Sequence, residues 1–147
     1  DIKLHFVGKL QTNKVKFALP LFDYIHSLDS IKLAEKIANE QIKKNFRPKI
    51  FIQINIGKEI QKNGIDIENL EMFYLDCKKK YDLNIIGLMC LPPNDNDASI
   101  YFSEMLQLLK NTDLNELSMG MTNDYIDALK FNSTFLRIGS KIFGPRV

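Results

Sequence analysis

The sequence predicts an α/β domain built on a parallel sheet, and three observations predict it. Short apolar runs alternate with amphipathic stretches six times along the chain. One run, Ile50-Phe51-Ile52-Gln53-Ile54-Asn55-Ile56, has isoleucine at every even position and Phe, Gln and Asn at the odd ones. The polar groups of the clearest strands lie toward their C-terminal ends, where parallel α/β proteins place ligands. Strands that alternate with helices require right-handed crossovers, and those make neighbouring strands parallel.

Strands are expected over 4–8, 24–28, 50–56, 84–89, 116–120 and 135–139. Ser30 can N-cap a helix whose apolar positions Ile31, Ala34, Ile37, Ala38 and Ile42 follow the helical period. Leu70, Phe73, Tyr74 and Cys77 form the stripe of the next helix, which Lys78-Lys79-Lys80 closes as a solvated last turn favoured by the helix dipole. Ala98, Tyr101, Phe102, Met105, Leu108 and Leu109 form the stripe after that. Thr122 is the expected cap of a shorter helix through Tyr125, Ile126 and Leu129.

At 147 residues the chain suffices for one domain with a core and is too short for two. Six units fit an open doubly wound sheet or part of a (βα)8 barrel. A complete barrel usually takes about 250 residues and at least roughly 200, so a barrel here would be about two units short. The first residues, Asp1 and then the alternating Ile2-Lys3-Leu4-His5-Phe6, read as a chain that begins inside a fold.

In 50–56 the isoleucines make one face uniformly apolar, fit to lie under helices, because successive side chains point to opposite faces. In 135–139 Leu136 and Ile138 take one face while Phe135, Arg137 and Gly139 take the other. An inward arginine near a strand's C-terminal end needs a partner to be buried.

Composition narrows function. Hydrophobic residues at 45% and charged residues at 26% are ordinary for a globular domain and exclude disorder and collagen. A net charge of +2 gives no footprint for nucleic acid or an anionic membrane. Two cysteines, Cys77 and Cys90, without a C-x-x-C pair or histidines at ligand spacing, exclude a zinc site and a disulfide framework; free thiols suit the cytoplasm. No P-loop, G-x-G-x-x-G or G-x-S-x-G motif occurs. His5 and His26 sit in strands, where the plain expectation is a satisfied core residue, and Met89, Met119 and Met121 are expected to fill core.

Two late segments suit an anion. Leu117-Ser118-Met119-Gly120-Met121-Thr122 ends a strand and opens a helix, and Arg137-Ile138-Gly139-Ser140 ends the last strand with a glycine for close approach. Loops after the last two strands are the usual phosphate site of barrels. Ser118 and Ser140 could merely cap turns, but their pairing beside an inward arginine favours a phosphate.

The segment His5-Phe6-Val7-Gly8-Lys9-Leu10-Gln11-Thr12-Asn13-Lys14 resembles the H-F-I-G-x-L-Q-x-N-K signature of pyridoxal-phosphate homeostasis proteins of the YggS/PROSC type. So do His26 to Ser30, Gln53 to Ile56 with Glu59, Lys62 and Gly64, Gly87-Leu88-Met89 with Pro92, Leu117 to Thr122 with Asp124, and Arg137 to Ser140 with Phe143-Gly144. They occur in the family's order across the whole chain. The resemblance implies a TIM barrel of pyridoxal-phosphate fold-type III, similar to the N-terminal domain of alanine racemase. It implies a single partial-barrel domain over 1–147, its first two βα units absent. It implies that pyridoxal 5′-phosphate sits at the mouth with Arg137 at the pyridine nitrogen. Ser118, Gly139 and Ser140 would hold the phosphate with the backbone at Met119, and His5 and Asn55 would line the ring's surroundings.

The family's Schiff-base lysine lies upstream of the H-F-I-G segment, and none of Lys3, Lys9 and Lys14 stands in its motif. The implied function is cofactor buffering and delivery without catalytic residues, metal, nucleic acid or membrane, with pyridoxal-phosphate-dependent apoenzymes as recipients. The alternatives are a racemase or decarboxylase of the same barrel, and a non-catalytic interaction module.

Overall fold

Five parallel strands lie side by side in the order in which the chain makes them. The structure, a computed structural model, describes residues 1–60, 63–95 and 97–147, so Lys62 lies outside the described residues. β1 (His5–Phe6) pairs with β2 (Tyr24–Leu28), β2 with β3 (Lys49–Ile54), β3 with β4 (Asn84–Cys90), and β4 with β5 (Glu116–Ser118). A doubly wound sheet reverses its strand order at a switch point. Here the order never reverses, so right-handed crossovers keep the helices on one face. The sheet also curls. The Phe135 ring, from the last extended segment, lies 5.1 Å from Phe51 on β3 and 5.9 Å from His5 on β1. Strands stand about 4.8 Å apart, so the two ends of a flat sheet could not meet this way. Both features belong to a partial barrel.

The two faces divide as the alternation predicts. Ile50, Ile52, Ile54 and Ile56 are buried in the core shared with the helices. Phe51 is buried on the opposite, inner face, stacked on His26 at 4.4 Å between ring centroids.

The crossover helices are α1 (Val15–Ala18), α2 (Ile31–Lys44), α3 (Leu70–Leu75), α4 (Ala98–Lys110), α5 (Tyr125–Lys130) and α6 (Ser140–Phe143). Ser30 caps α2 as expected, its Oγ accepting the Leu33 N–H at 3.1 Å. The expected stripe of α2 needs two corrections: Ile31 and Ile42 are both exposed, Ile42 at 80%. Gln41, four residues on from Ile37, takes the buried position and donates to the carbonyls of Tyr81 and Asp82. Leu70, Phe73 and Cys77 are buried as expected, and the lysine run closes a π-turn at Asp76–Lys80. Phe102, Met105 and Leu109 seat α4.

Thr122 does not cap α5. Its hydroxyl accepts the Lys141 N–H at 3.2 Å, and Asp124 closes the turn before the helix by accepting the Met121 N–H at 2.7 Å. Ala128 is the buried residue of this short helix, and Ile126 and Leu129 face outward.

The strand expected over 135–139 is reduced to one bridge, Ser118 to Phe135. The next rung of a parallel ladder would take the Arg137 N–H to the Met119 carbonyl. That carbonyl accepts the Ser133 hydroxyl at 2.6 Å instead. Gly120, at φ +103°, turns the chain so that its own carbonyl accepts the Arg137 N–H at 2.9 Å. The register slips by one residue, and the ladder ends there.

Candidate functional site

The inner face carries polar side chains from four neighbouring segments: His5 on β1, His26 on β2, Ser118 on β5, and Arg137 beyond the last bridge. His5 Nδ1 lies 3.0 Å from His26 Nε2, and His26 Nδ1 lies 2.8 Å from Ser118 Oγ. Arg137 donates to Ser118 Oγ at 2.5 Å and to the Cys90 carbonyl at 2.8 Å. The His5 ring lies flat on Tyr24, with centroids 4.1 Å apart. His26 and Ser118 are buried, and each has two partners, as buried polar groups require.

Burial sets the charges. Desolvation first, then the neighbouring His5 and Arg137, push His26 down to about 3, so its imidazole is neutral at pH 7. His5 is lowered as well, by burial and against the pull of Asp23. Burial also pulls Arg137 below its ordinary value, yet a guanidinium remains charged in proteins. The Cys90 thiol is pushed up to about 12 by burial, against the lowering effect of Arg137, so it is no nucleophile.

Arg137 and Gly139 line two adjoining clefts. One, of about 490 Å³, is also lined by Pro92, Gly120, Thr122 and Ser140. The other, of about 510 Å³, is lined by His5, Val7, Phe135 and Ile138. Both volumes suit a small ligand, for which pockets run to about 300–1,000 Å³. Space beside Gly139 is open: a methyl built there meets no atom within 4 Å. No described lysine lines either cleft.

Of the residues expected at a cofactor, the structure brings together Arg137, Gly139, Ser140 and His5. Ser118 and Met119 are fully buried behind them. The Ser118 hydroxyl is committed to Arg137 and His26, and the Met119 N–H is bonded to the Phe135 carbonyl at 3.1 Å. Asn55 lines neither cleft; its amide closes its own loop, donating to the Glu59 carbonyl at 2.8 Å and accepting the Glu59 N–H at 3.1 Å. Two residues are added to the site. Thr122 places a hydroxyl on the first cleft, and His26 links His5 to Ser118. His26 shares the inward parity of Tyr24, which was a usable signal; Thr122 closes the segment expected to suit an anion, but the direction of its hydroxyl depends on the turn at Gly120.

Among the described residues no group of three His, Cys, Asp or Glu side chains could hold a metal ion, and no helix is long and apolar enough to cross a membrane.

A sequence model described as "Alanine racemase, N-terminal domain" matches residues 3–147. The pyridoxal phosphate homeostasis protein of Aquifex aeolicus is 37% identical over 155 residues, covering 99% of this chain and 68% of the relative. That of Haemophilus influenzae is 38% identical over 157 residues, covering 99% and 66%. The chain thus spans about two thirds of the length of these curated relatives. PipY of Synechococcus elongatus with pyridoxal phosphate bound superposes with a TM-score of 0.85 at 31% identity, over 98% of this chain and 71% of PipY. An alanine racemase of Clostridium difficile, at 12% identity and a TM-score of 0.72 over 99% of this chain and 40% of its own, shares the fold. The chain belongs to the alanine racemase N-terminal domain family, among its pyridoxal phosphate homeostasis proteins.

Proposed function

We propose that this chain binds pyridoxal 5′-phosphate at the C-terminal mouth of its partial barrel and serves to hold and release the cofactor, without turnover of its own. The observation that carries this reading is Arg137, a guanidinium held by Ser118 and the Cys90 carbonyl at the junction of two clefts. The donor set fits the cofactor. Gly139 offers open space for close approach, and Thr122 and Ser140 supply hydroxyls on the same cleft for a phosphate. Ser118 serves the cofactor through Arg137, which it orients, with Met119 as its buried neighbour.

Pyridoxal phosphate brings an aldehyde, a pyridine nitrogen and a phosphate. Arg137, set near that nitrogen, would disfavour its protonation and leave the ring a weak electron sink, which suits storage over catalysis. With no described lysine on either cleft, the described residues would hold the cofactor by polar contacts alone. Two relatives are named for pyridoxal phosphate homeostasis and PipY carries the cofactor, which supports the reading. The recipients are apoenzymes that need the cofactor.

The test is titration with pyridoxine 5′-phosphate and with pyridoxine. The phosphate ester should bind and pyridoxine should bind at least tenfold more weakly. Thr122→Val should cut affinity for the ester by about tenfold, as loss of a hydrogen bond to a charged group does, and leave pyridoxine unchanged. Equal affinity for the two ligands would show that no phosphate cradle exists here. Absence of binding to either would favour an interaction module.

A further inference from the structure

We infer that the inner-face chain of hydrogen bonds donates in one direction only, Arg137 to Ser118 to His26 to His5, so that His5 presents a fixed Nε2–H donor to the second cleft and selects an oxygen acceptor on the ligand bound there. The ligand part of this inference rests on the reading of the mouth as a pyridoxal-phosphate site.

The direction follows from donor counting. A guanidinium has only donors, so Ser118 Oγ accepts from Arg137 at 2.5 Å. Ser118 is fully buried, and its hydrogen needs an acceptor of its own. His26 Nδ1, 2.8 Å away, is the acceptor in place. A neutral imidazole that accepts at Nδ1 carries its proton on Nε2. His26 Nε2–H therefore donates to His5 Nδ1 at 3.0 Å, and His5 in turn carries its proton on Nε2. The opposite direction would put two donors on Ser118 and strand its hydrogen.

His5 lines the second cleft with Val7, Phe135 and Ile138, whose side chains are apolar. Stacking on Tyr24, 3° from parallel, holds the ring in one plane. With Nδ1 taken by His26, the Nε2 edge is the ring's remaining polar edge, so a ligand group there must accept. A phenol or carboxylate oxygen qualifies, and an ammonium group would be repelled.

Imidazole ¹⁵N NMR of the unmodified chain reads the direction without any ligand. Both histidines should be Nε2–H tautomers, and His26 should stay neutral down to about pH 4 while His5 titrates first. A His26 proton on Nδ1, or titration of His26 near pH 6.5, would overturn the inference. Ser118→Ala should release the lock, giving mixed tautomers at His26; an unchanged His26 signal would also overturn it. Titration with pyridoxine 5′-phosphate then tests the ligand part. It should move the His5 Nε2 resonance, His5→Phe should weaken binding about tenfold, and His5→Gln, which keeps a donor in that place, should restore most of it. Unaltered affinity in His5→Phe would refute the acceptor contact. If the unmodified chain does not bind the ester, the cofactor reading and this contact fall together, and the tautomers still decide the direction.

Discussion

Replacing Gly120 by alanine should destabilise this chain far more than replacing Gly139, although both glycines line the same cleft. Gly120 has φ +103°, outside the range that L side chains favour, which costs about 1–3 kcal/mol for a residue held there. A methyl at Gly120 would also lie 2.7 Å from Ala128 Cβ and 3.0 Å from Leu136 Cδ2. Ala128 is fully buried, so the clash is with packed core, and overpacking typically costs about 1–3 kcal/mol. Together the loss is roughly 2–6 kcal/mol, against a total stability of about 5–15 kcal/mol for an ordinary domain. Gly139, at φ −123° with nothing within 4 Å of a built methyl, should change stability by less than about 0.5 kcal/mol. Urea unfolding followed by circular dichroism measures both. At a slope of about 2 kcal/mol/M, Gly120→Ala should lower the midpoint by about 1–3 M and Gly139→Ala should scarcely move it. The two variants separate in binding too: Gly139→Ala fills space in the cleft and should weaken pyridoxine 5′-phosphate in a fully folded protein. A loss below about 1 kcal/mol for Gly120→Ala would refute the account of how the chain turns from β5 into the cleft.

Other predictions follow from the same geometry. His26 is held near 3 in the fold against 6.5 in the unfolded chain, so between those values the unfolded state binds the extra proton and stability falls as pH falls. Unfolding free energies from urea titrations at pH 7 and pH 5 should differ by about 2 kcal/mol on this account, and His26→Asn should flatten the difference; an equal pH dependence in the variant would remove His26 as its source. Pyridoxal 5′-phosphate followed by borohydride should leave no single stoichiometric adduct, because no described lysine lines either cleft; one uniquely modified lysine in a mass spectrum would contradict this. Among the described residues β1 ends the sheet with an unpaired edge, and Ile2 and Phe143 are 90% and 85% exposed, so the chain should associate as its concentration rises. Sedimentation showing a monomer at every concentration would count against it.

Much of the fold was legible in local patterns. The alternation over 50–56 assigned each side chain of β3 to a face, since a strand has a period of two and only one face could take four isoleucines. Ser30 announced the start of α2 because a cap acts within four residues. The inward parity of Arg137 and Gly139 puts them on the inner side for the same local reason, and both line the two clefts. Strand order, curl and hydrogen-bond partners depend on residues far apart in the chain, and there local pattern was silent. Parity puts Ser118 inside, but only the approach of His26, 92 positions earlier, and of Arg137 commits its hydroxyl to them and away from the cleft. Asn55 likewise satisfies its amide within its own loop, and Thr122 reaches the cleft through a register slip that a single glycine imposes. Side-chain direction is a local property of the backbone, whereas the partner that a polar group finds is a property of the packed whole.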